Sequence, residues 1–115
     1  MEISRNTFEK TLNTFIPNKY KFVERVKINK GPYVQYGLFV LDLTVITKDN
    51  FIKRIKPECQ EKITKGEVIA FWTIIKCFGK FYDIIGFEKD IQMIYKELSG
   101  NTSFSRDITI KMEVY

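Results

Sequence analysis

The sequence predicts one α+β domain over residues 1–115: an antiparallel sheet of four to five strands, an N-terminal helix and a second helix before the C-terminal strand. Apolar residues recur at helical spacing in 4–16 and 87–98, and they alternate with polar residues in 19–29 and 106–115. At 115 residues with 44% hydrophobic residues, the chain is long enough for one packed core and too short for two.

The first predicted helix spans 4–16. Ser4 or Asn6 can provide the N-cap, and Pro17 is expected to end the segment because proline lacks the backbone N–H that continues a helix. Its apolar residues fall on one face, which predicts that this face packs on the sheet. They are Phe8, Leu12, Phe15 and Ile16.

A β-hairpin is predicted to follow, with strands 19–29 and 33–47 joined by a turn at Asn29-Lys30-Gly31-Pro32. In the first strand, cations alternate with apolar residues, so we expect Lys21, Arg25 and Lys27 to be exposed on one face. The apolar residues that should turn inward are Phe22, Val26 and Ile28. The return strand is apolar on both faces through 37–41, which is typical of a central strand.

The middle of the chain is harder to interpret. Residues 48–50 are typical of a turn or a helix cap, and 51–55 fit either a helical turn or an edge strand. The β-branched and aromatic content of 67–78 favours a strand, although Thr64 and Glu67 have the spacing of a helical capping box. We interpret 67–78 as a strand, with 81–85 pairing back as a short one.

The C-terminal part of the chain carries the clearest periodicity. Apolar residues recur at helical spacing through 87–98, and Gly100 follows as a helix stop. Residues 106–115 alternate as a final strand, which is therefore expected to have one buried face. The residues on that face are Ile108, Ile110, Met112 and Val114.

Nothing in the sequence indicates catalysis, a cofactor or a metal site. The chain has no histidine, which removes the commonest general base and metal ligand, and it contains no phosphate-binding or zinc motif. Cys59 and Cys77 have no partner pattern and are interpreted as ordinary thiols. Glu88 and Asp90 are expected to favour the positive end of a helix dipole, and Asp42 to hydrogen-bond a neighbouring loop or face solvent. We therefore predict a protein that is not an enzyme.

The distribution of charge suggests one candidate surface. The formal net charge is +5, and residues 1–30 carry seven Lys/Arg against three Glu. With sixteen Ile, fifteen Lys and one Ala, the composition also indicates an AT-rich genome, which accounts for part of the lysine excess. The candidate nucleic-acid-binding residues lie on the basic face of the 19–47 hairpin, where the cations are expected to follow phosphates while Tyr33 and Tyr36 beside them stack on exposed bases. They are Lys19, Lys21, Arg25, Lys27 and Lys30.

A competing hypothesis rests on the aromatic content of 15%, because Tyr, Trp and Phe are favoured at the centres of protein interfaces. The candidate interface residues are Tyr33, Tyr36 and Trp72. The function predicted first is a non-enzymatic interaction or structural subunit of a larger assembly, in a homo- or hetero-oligomer. A small nucleic-acid-binding module is the alternative.

The expected source is viral or phage, given the AT-rich signature. The size and element order are similar to those of small phage connector and tail-completion proteins, an analogy of fold that rests on no shared motif. No apolar run approaches the roughly 20 residues of a membrane span, and residues 1–5 lack a signal-peptide hydrophobic region. We therefore expect the protein in the cytoplasm of a cell or host, or in a virion.

Overall fold

Two helices and a mixed sheet form the part of the chain that the structure, a computed structural model, describes: residues 3–54, 60, 63, 65–66, 68–70 and 84–115. In chain order the elements are α1 (Arg5–Lys19), β1 (Val23–Gln35), β2 (Leu38–Thr47), a 3-10 turn (Phe51–Arg54), β3 (Val68–Ala70), α2 (Ile84–Ser99) and β4 (Ser105–Glu113). The predicted α+β class, with an N-terminal helix and a second helix before the C-terminal strand, is confirmed.

The predicted antiparallel sheet of four to five strands is wrong. Strands lie in the order β1-β2-β4-β3, and β2 pairs with β4 in parallel, so three long strands form a mixed sheet to which β3 adds three residues. The sequence between β2 and β4 contains α2, and a helix is the usual means of returning a chain so that two strands run parallel. In this order the C-terminal strand β4 lies between β2 and β3, and β3 pairs with its last three residues.

The hairpin turn lies at Tyr36–Gly37, and the predicted turn at Asn29–Pro32 is wrong. Residues 29–32 belong to β1, where the pairing with β2 shifts register on both sides of Lys30. Gly31 has a φ of 89°, and a Cβ at this position would overlap the Val40 carbonyl. The glycine thus serves close backbone contact within the strand, and Pro32 is tolerated because β1 is an edge strand.

Helix α1 begins as predicted and ends later than predicted. The Ser4 hydroxyl accepts a hydrogen bond from the Thr7 backbone N–H at 3.1 Å, which makes Ser4 the N-cap. The helix passes Pro17 and closes with a hydrogen bond of 2.7 Å from the Tyr20 N–H to the Ile16 carbonyl. A proline this close to the C-terminus removes one backbone hydrogen bond without ending the last turn.

The core lies between the two helices and one face of the sheet, called the inner face below. The predicted alternation is confirmed in β1 from Arg25 to Ile28, and largely in β4, whose inward residues are buried except for the partly buried Ile108. It is wrong before Arg25, because Phe22 lies in the turn before β1 and is partly buried, and the register shifts after the buried Val23. The Tyr95 ring of α2 stacks on Phe39 of β2 with centroids 4.3 Å apart, and it meets Phe8 of α1 edge-on at 6.0 Å. Each fully buried side chain of this size contributes roughly 1.5–3 kcal/mol to stability, so this three-way contact fastens both helices to the sheet.

The remaining predictions have mixed outcomes. Residues 51–54 form the helical turn that was one of two alternatives, and α2 ends at Gly100, whose φ of 72° and bond to the Lys96 carbonyl fit a helix stop. Val68–Ala70 is a strand, whereas 71–78 lies outside the described residues. Ile84 and Ile85 are helical, so the short strand expected over 81–85 is wrong there, and 81–83 is not described.

Candidate interaction surface

The sheet has a second face, the outer face, which points away from the core. Residues directly opposite each other on neighbouring strands share a face, so the register identifies its members. Across β1 and β2 the outer pairs are Arg25 with Ile46, Lys27 with Thr44, Lys30 with Asp42, and Tyr33 with Val40. Across β2 and β4 they are Ile46 with Glu113, Thr44 with Lys111, Asp42 with Thr109, and Val40 with Asp107.

At one end of the outer face, the residues that the β1–β2 hairpin contributes carry no charge. We call them the tip patch, which consists of Tyr33, Gln35, Tyr36, Leu38 and Val40. Val34 packs against the core, so its neighbours Tyr33 and Gln35 point outward. Tyr36 is 94% exposed and Leu38 is 40% exposed, although both are large apolar side chains. The tip patch therefore presents aromatic and aliphatic surface to solvent.

The tip patch stands on an ordered backbone. Gln35 and Leu38 form the pair that closes the hairpin, and the Ser105 N–H at the start of β4 donates to the Gly37 carbonyl at 2.7 Å. Tyr36 itself has a φ of 53°, a left-handed conformation that costs a non-glycine residue roughly 1–2 kcal/mol. Three strands thus fix the position of the backbone from which the exposed Tyr36 ring projects.

The structure brings together three of the five predicted cations. Arg25, Lys27 and Lys30 are exposed and follow one another along the outer face of β1, a set we call the cation row. Lys21 is exposed in the turn before β1. Lys19 belongs to α1 instead of the strand, which corrects its prediction; the helix continues past Pro17 and carries Lys19 with it.

Carboxylates lie beside the cation row. Asp42 faces Lys30 across the β1–β2 pair, and Asp107 and Glu113 lie on the next strand. Asp42 is half-buried and accepts a hydrogen bond from the Asn29 amide at 3.2 Å, so its predicted hydrogen bond is made within the hairpin. The outer face beyond the tip patch is therefore a mixture of charges in which the cations are concentrated on the edge strand.

A polar cluster on the helical side of the sheet was not predicted from the sequence. Asp90 of α2 is buried, and its carboxylate accepts from the Tyr20 hydroxyl at 2.5 Å and pairs with the Lys19 ammonium at 2.8 Å. Glu88 is also buried, and neither carboxylate lies in the first turn of α2, so the dipole interpretation of these two residues is wrong. The carboxylate of Asp90 instead joins the C-terminal end of α1 to α2.

A second polar corner surrounds Tyr115. Its ring lines a cavity of about 510 Å³ together with Lys48 and Asp49, and an adjacent cavity of about 260 Å³ together with Lys53 and Lys65. The Tyr115 hydroxyl donates to the Glu113 carboxylate, which with partial burial holds the pKa of the phenol above its ordinary value. A charged phenolate would lose this hydrogen bond, so the neutral form is favoured.

The structure describes only part of the predicted candidates. Trp72, Cys59 and Cys77 lie outside the described residues. Among the residues that are described, no three His, Cys, Asp or Glu side chains are grouped as metal ligands. Within the same residues, no helix has the length and apolar character needed to cross a membrane.

Comparison with protein families, curated proteins and solved structures finds no match to this chain.

Proposed function

We propose that this protein is a non-enzymatic interaction subunit of a larger assembly and that it contacts another protein chain through the tip patch. One observation supports this proposal most directly. An ordered hairpin tip holds the Tyr36 ring almost fully in solvent, with Leu38 exposed beside it. Tyrosine is among the residues that dominate binding energy at interfaces, because its ring buries a large apolar area and its hydroxyl remains able to hydrogen-bond.

The composition around the tip patch fits the anatomy of an interface. A protein interface has an apolar centre that lacks charge and a polar rim. The tip patch is uncharged, and its nearest charged neighbours on the outer face are Lys30 and Asp107. A rigid backbone also lowers the conformational entropy lost on association, and the closing pair of the hairpin provides that rigidity. An interface built here should bury on the order of 800 Å² on each side.

The test is capture of a partner from the native source, or self-assembly, by the wild-type chain and by a Tyr36→Ser/Leu38→Ser variant. The matched control is Met93→Ser, which removes a 43% exposed apolar side chain from α2. We expect the tip variant to weaken association about 30-fold or more, since interface hot spots contribute 2 kcal/mol or more, and the control to bind as the wild type does. A strictly monomeric chain that captures no partner would overturn the proposal, as would equal binding by the tip variant.

A second candidate function, single-stranded nucleic-acid binding, is favoured by the cation row. Arg25, Lys27 and Lys30 are exposed in one line, and Tyr33 continues that line toward the tip. Such an arrangement offers positive charge for phosphates and a ring for base stacking. The neighbouring carboxylates reduce the net positive charge of this face.

This candidate is tested by changing Lys21, Arg25 and Lys27 together to Glu, which should abolish binding to single-stranded DNA or RNA. Changing the exposed Lys10, Lys53 and Lys89 to Glu alters net charge equally and serves as the control. Wild-type affinity should fall with salt, with a slope of roughly 0.7 per phosphate contact. If no complex forms even at low salt, this candidate is removed.

A further inference from the structure

Strand β1 lies at the edge of the sheet, so within the described part of the chain one side of its backbone has no neighbouring strand. Such an edge presents N–H and C=O groups that can pair with another chain. In this fold α1 lies along that edge. Its residues Arg5, Glu9 and Asn13 are four positions apart, which puts them on one stripe of the helix.

Each residue of this stripe hydrogen-bonds the β1 backbone. The Asn13 amide donates to the Val26 carbonyl at 3.0 Å, and its oxygen accepts from the Val26 N–H at 2.7 Å. The Glu9 carboxylate accepts from the Ile28 N–H at 3.0 Å. The Arg5 guanidinium donates to the Gly31 carbonyl at 3.0 Å.

The spacing explains why the contacts repeat. Four helical residues advance about 6 Å, and two strand residues advance about 6.6 Å, so Asn13 and Glu9 are spaced to reach Val26 and Ile28. Gly31 lies three residues beyond Ile28, in the part of β1 where the register with β2 shifts. Pro32 follows Gly31 and has no N–H to offer. The β1 edge is thus occupied from Val26 to Gly31 and lacks a donor at the next residue.

These contacts are separate from the packing of the helix. The buried residues of α1 are Phe8, Leu12 and Ile16, which form a neighbouring stripe against the core. An apolar stripe alone would fasten the helix to the sheet without satisfying any backbone group of β1. Arg5, Glu9 and Asn13, called the polar stripe below, therefore have a role besides packing, which is to satisfy backbone groups of β1.

The cation row lies on the same strand. Val26 turns both its N–H and its C=O toward this edge. If a second copy of this chain added to β1 in antiparallel pairing centred on Val26, Arg25 of each copy would face Lys27 of the other. Like charges that face each other across strands are destabilising, and lysine is a common means of blocking an edge strand. The cation row therefore opposes the addition of a second copy to β1, as the polar stripe does.

We propose that Arg5, Glu9 and Asn13 act with the cation row as an edge guard that prevents a second copy of this chain from adding to β1. The guard goes beyond the proposed function, because the tip patch lies on the outer face and at the end of the hairpin. It also accounts for the cation row without a nucleic-acid ligand.

The test uses a Glu9→Ala/Asn13→Ala variant, with Asn18→Ala on the same helix as the control; the Asn18 amide donates to the Thr14 carbonyl within α1. Backbone amide exchange at Val26 and Ile28 should accelerate at least 10-fold in the double variant and remain unchanged at Ile110. Light scattering should then detect association beyond that of the wild type, rising with protein concentration. Added salt should strengthen this association, because it screens the cation row.

Two further variants keep the proposal open to refutation. Adding Lys27→Glu to the double variant should strengthen association at low salt, because an anion then faces cations across the new pair. Glu9→Gln keeps an acceptor for the Ile28 N–H and should behave as the wild type. If the double variant fails to fold, Glu9→Ala with and without Lys27→Glu provides the same comparison, since Asn13 still holds Val26.

A folded variant that exchanges rapidly at Val26 and Ile28, yet keeps the wild-type oligomeric state at every salt concentration, would refute the guard. If Lys27→Glu leaves the strength of association at low salt unchanged, the role proposed for the cation row is refuted. Repeating the experiment with Tyr36→Ser/Leu38→Ser separates this association from contact through the tip patch. Association caused by an open β1 edge should persist in that background.

Discussion

Gly31 lies so close to the carbonyl of Val40 that a side chain at position 31 has no room. A Cβ built on Gly31 would overlap that oxygen, and the φ of 89° is itself unfavourable for other residues. This contact occurs inside the β1–β2 pair, where the register shifts around Lys30. The irregular centre of the hairpin is therefore fixed by backbone packing and not by a turn.

Gly31→Ala is accordingly expected to destabilise the fold by about 3 kcal/mol or more, because both the overlap and the backbone conformation are penalised. Gly37→Ala provides the comparison. Its φ is 74°, but among the described residues no atom beyond its two chain neighbours lies within 4 Å of the added Cβ, so the expected loss is about 1 kcal/mol. Chemical denaturation of both variants measures the difference, and equal losses would contradict the close contact with Val40.

Asn13→Ala should cost about 2 kcal/mol in the free energy of unfolding. The substitution leaves the N–H and the C=O of Val26 without their partner, and an unsatisfied buried group costs roughly 1–3 kcal/mol. Asn18→Ala should change stability by less than about 0.5 kcal/mol, as exposed substitutions usually do. Thermal unfolding of the two variants compares the same chemical change at two positions of α1.

Asp90→Ala should destabilise the protein more than Lys19→Met does. The first change removes the acceptor of the Tyr20 hydroxyl from a buried position, with an expected cost of about 1–3 kcal/mol. The second removes an ion-pair partner whose side chain is 51% exposed, and such pairs contribute at most about 1 kcal/mol. Asp90→Ala also breaks the ion pair, so equal losses in denaturation experiments would show that the ion pair, and not the hydrogen bond, joins α1 to α2.

Tyr115 should make stability depend on alkaline pH. Its pKa is raised in the folded state by the bond to Glu113, so its contribution is fully present below the unfolded-state value of about 10. That contribution is lost as the pH rises through the raised pKa. Wild-type protein should therefore lose more stability than Tyr115→Phe between pH 8 and pH 11. Parallel pH profiles for the two proteins would contradict this linkage.

Local pattern predicted much of this fold. The cap at Ser4, the alternation through Val26 and Ile28, and the stop at Gly100 each follow from neighbouring residues. The hairpin turn was missed because Asn29-Lys30-Gly31-Pro32 carries a stronger local turn signal than Tyr36-Gly37. No local signal reveals that the Val40 carbonyl lies against Gly31 or that β2 and β4 run parallel, since both depend on residues distant in sequence.

Only the local features of the candidate surfaces could be predicted, because a sequence pattern carries no information on contacts between distant residues. Alternation identified the exposed cations of β1, and aromatic content identified Tyr36 without its position at the tip. The pairing of Asp90 with Lys19 joins residues far apart in the chain, and the hydrogen bonds from Asn13 to Val26 require the helix to lie along a particular edge. Spacing along one segment predicts which residues share a face but not which segment lies beside them.

The parallel pairing of β2 with β4 has a consequence for the order of folding during synthesis. Helix α1 and the β1–β2 hairpin involve residues that are close in sequence, and such contacts form early. The other side of β2 can pair only after 48–104 and then β4 have been synthesised. Strand β2, which is mostly buried in the folded protein, therefore has one unpaired side while 48–104 is being synthesised. If the ribosome stalls within 48–104, that side remains open to other nascent chains.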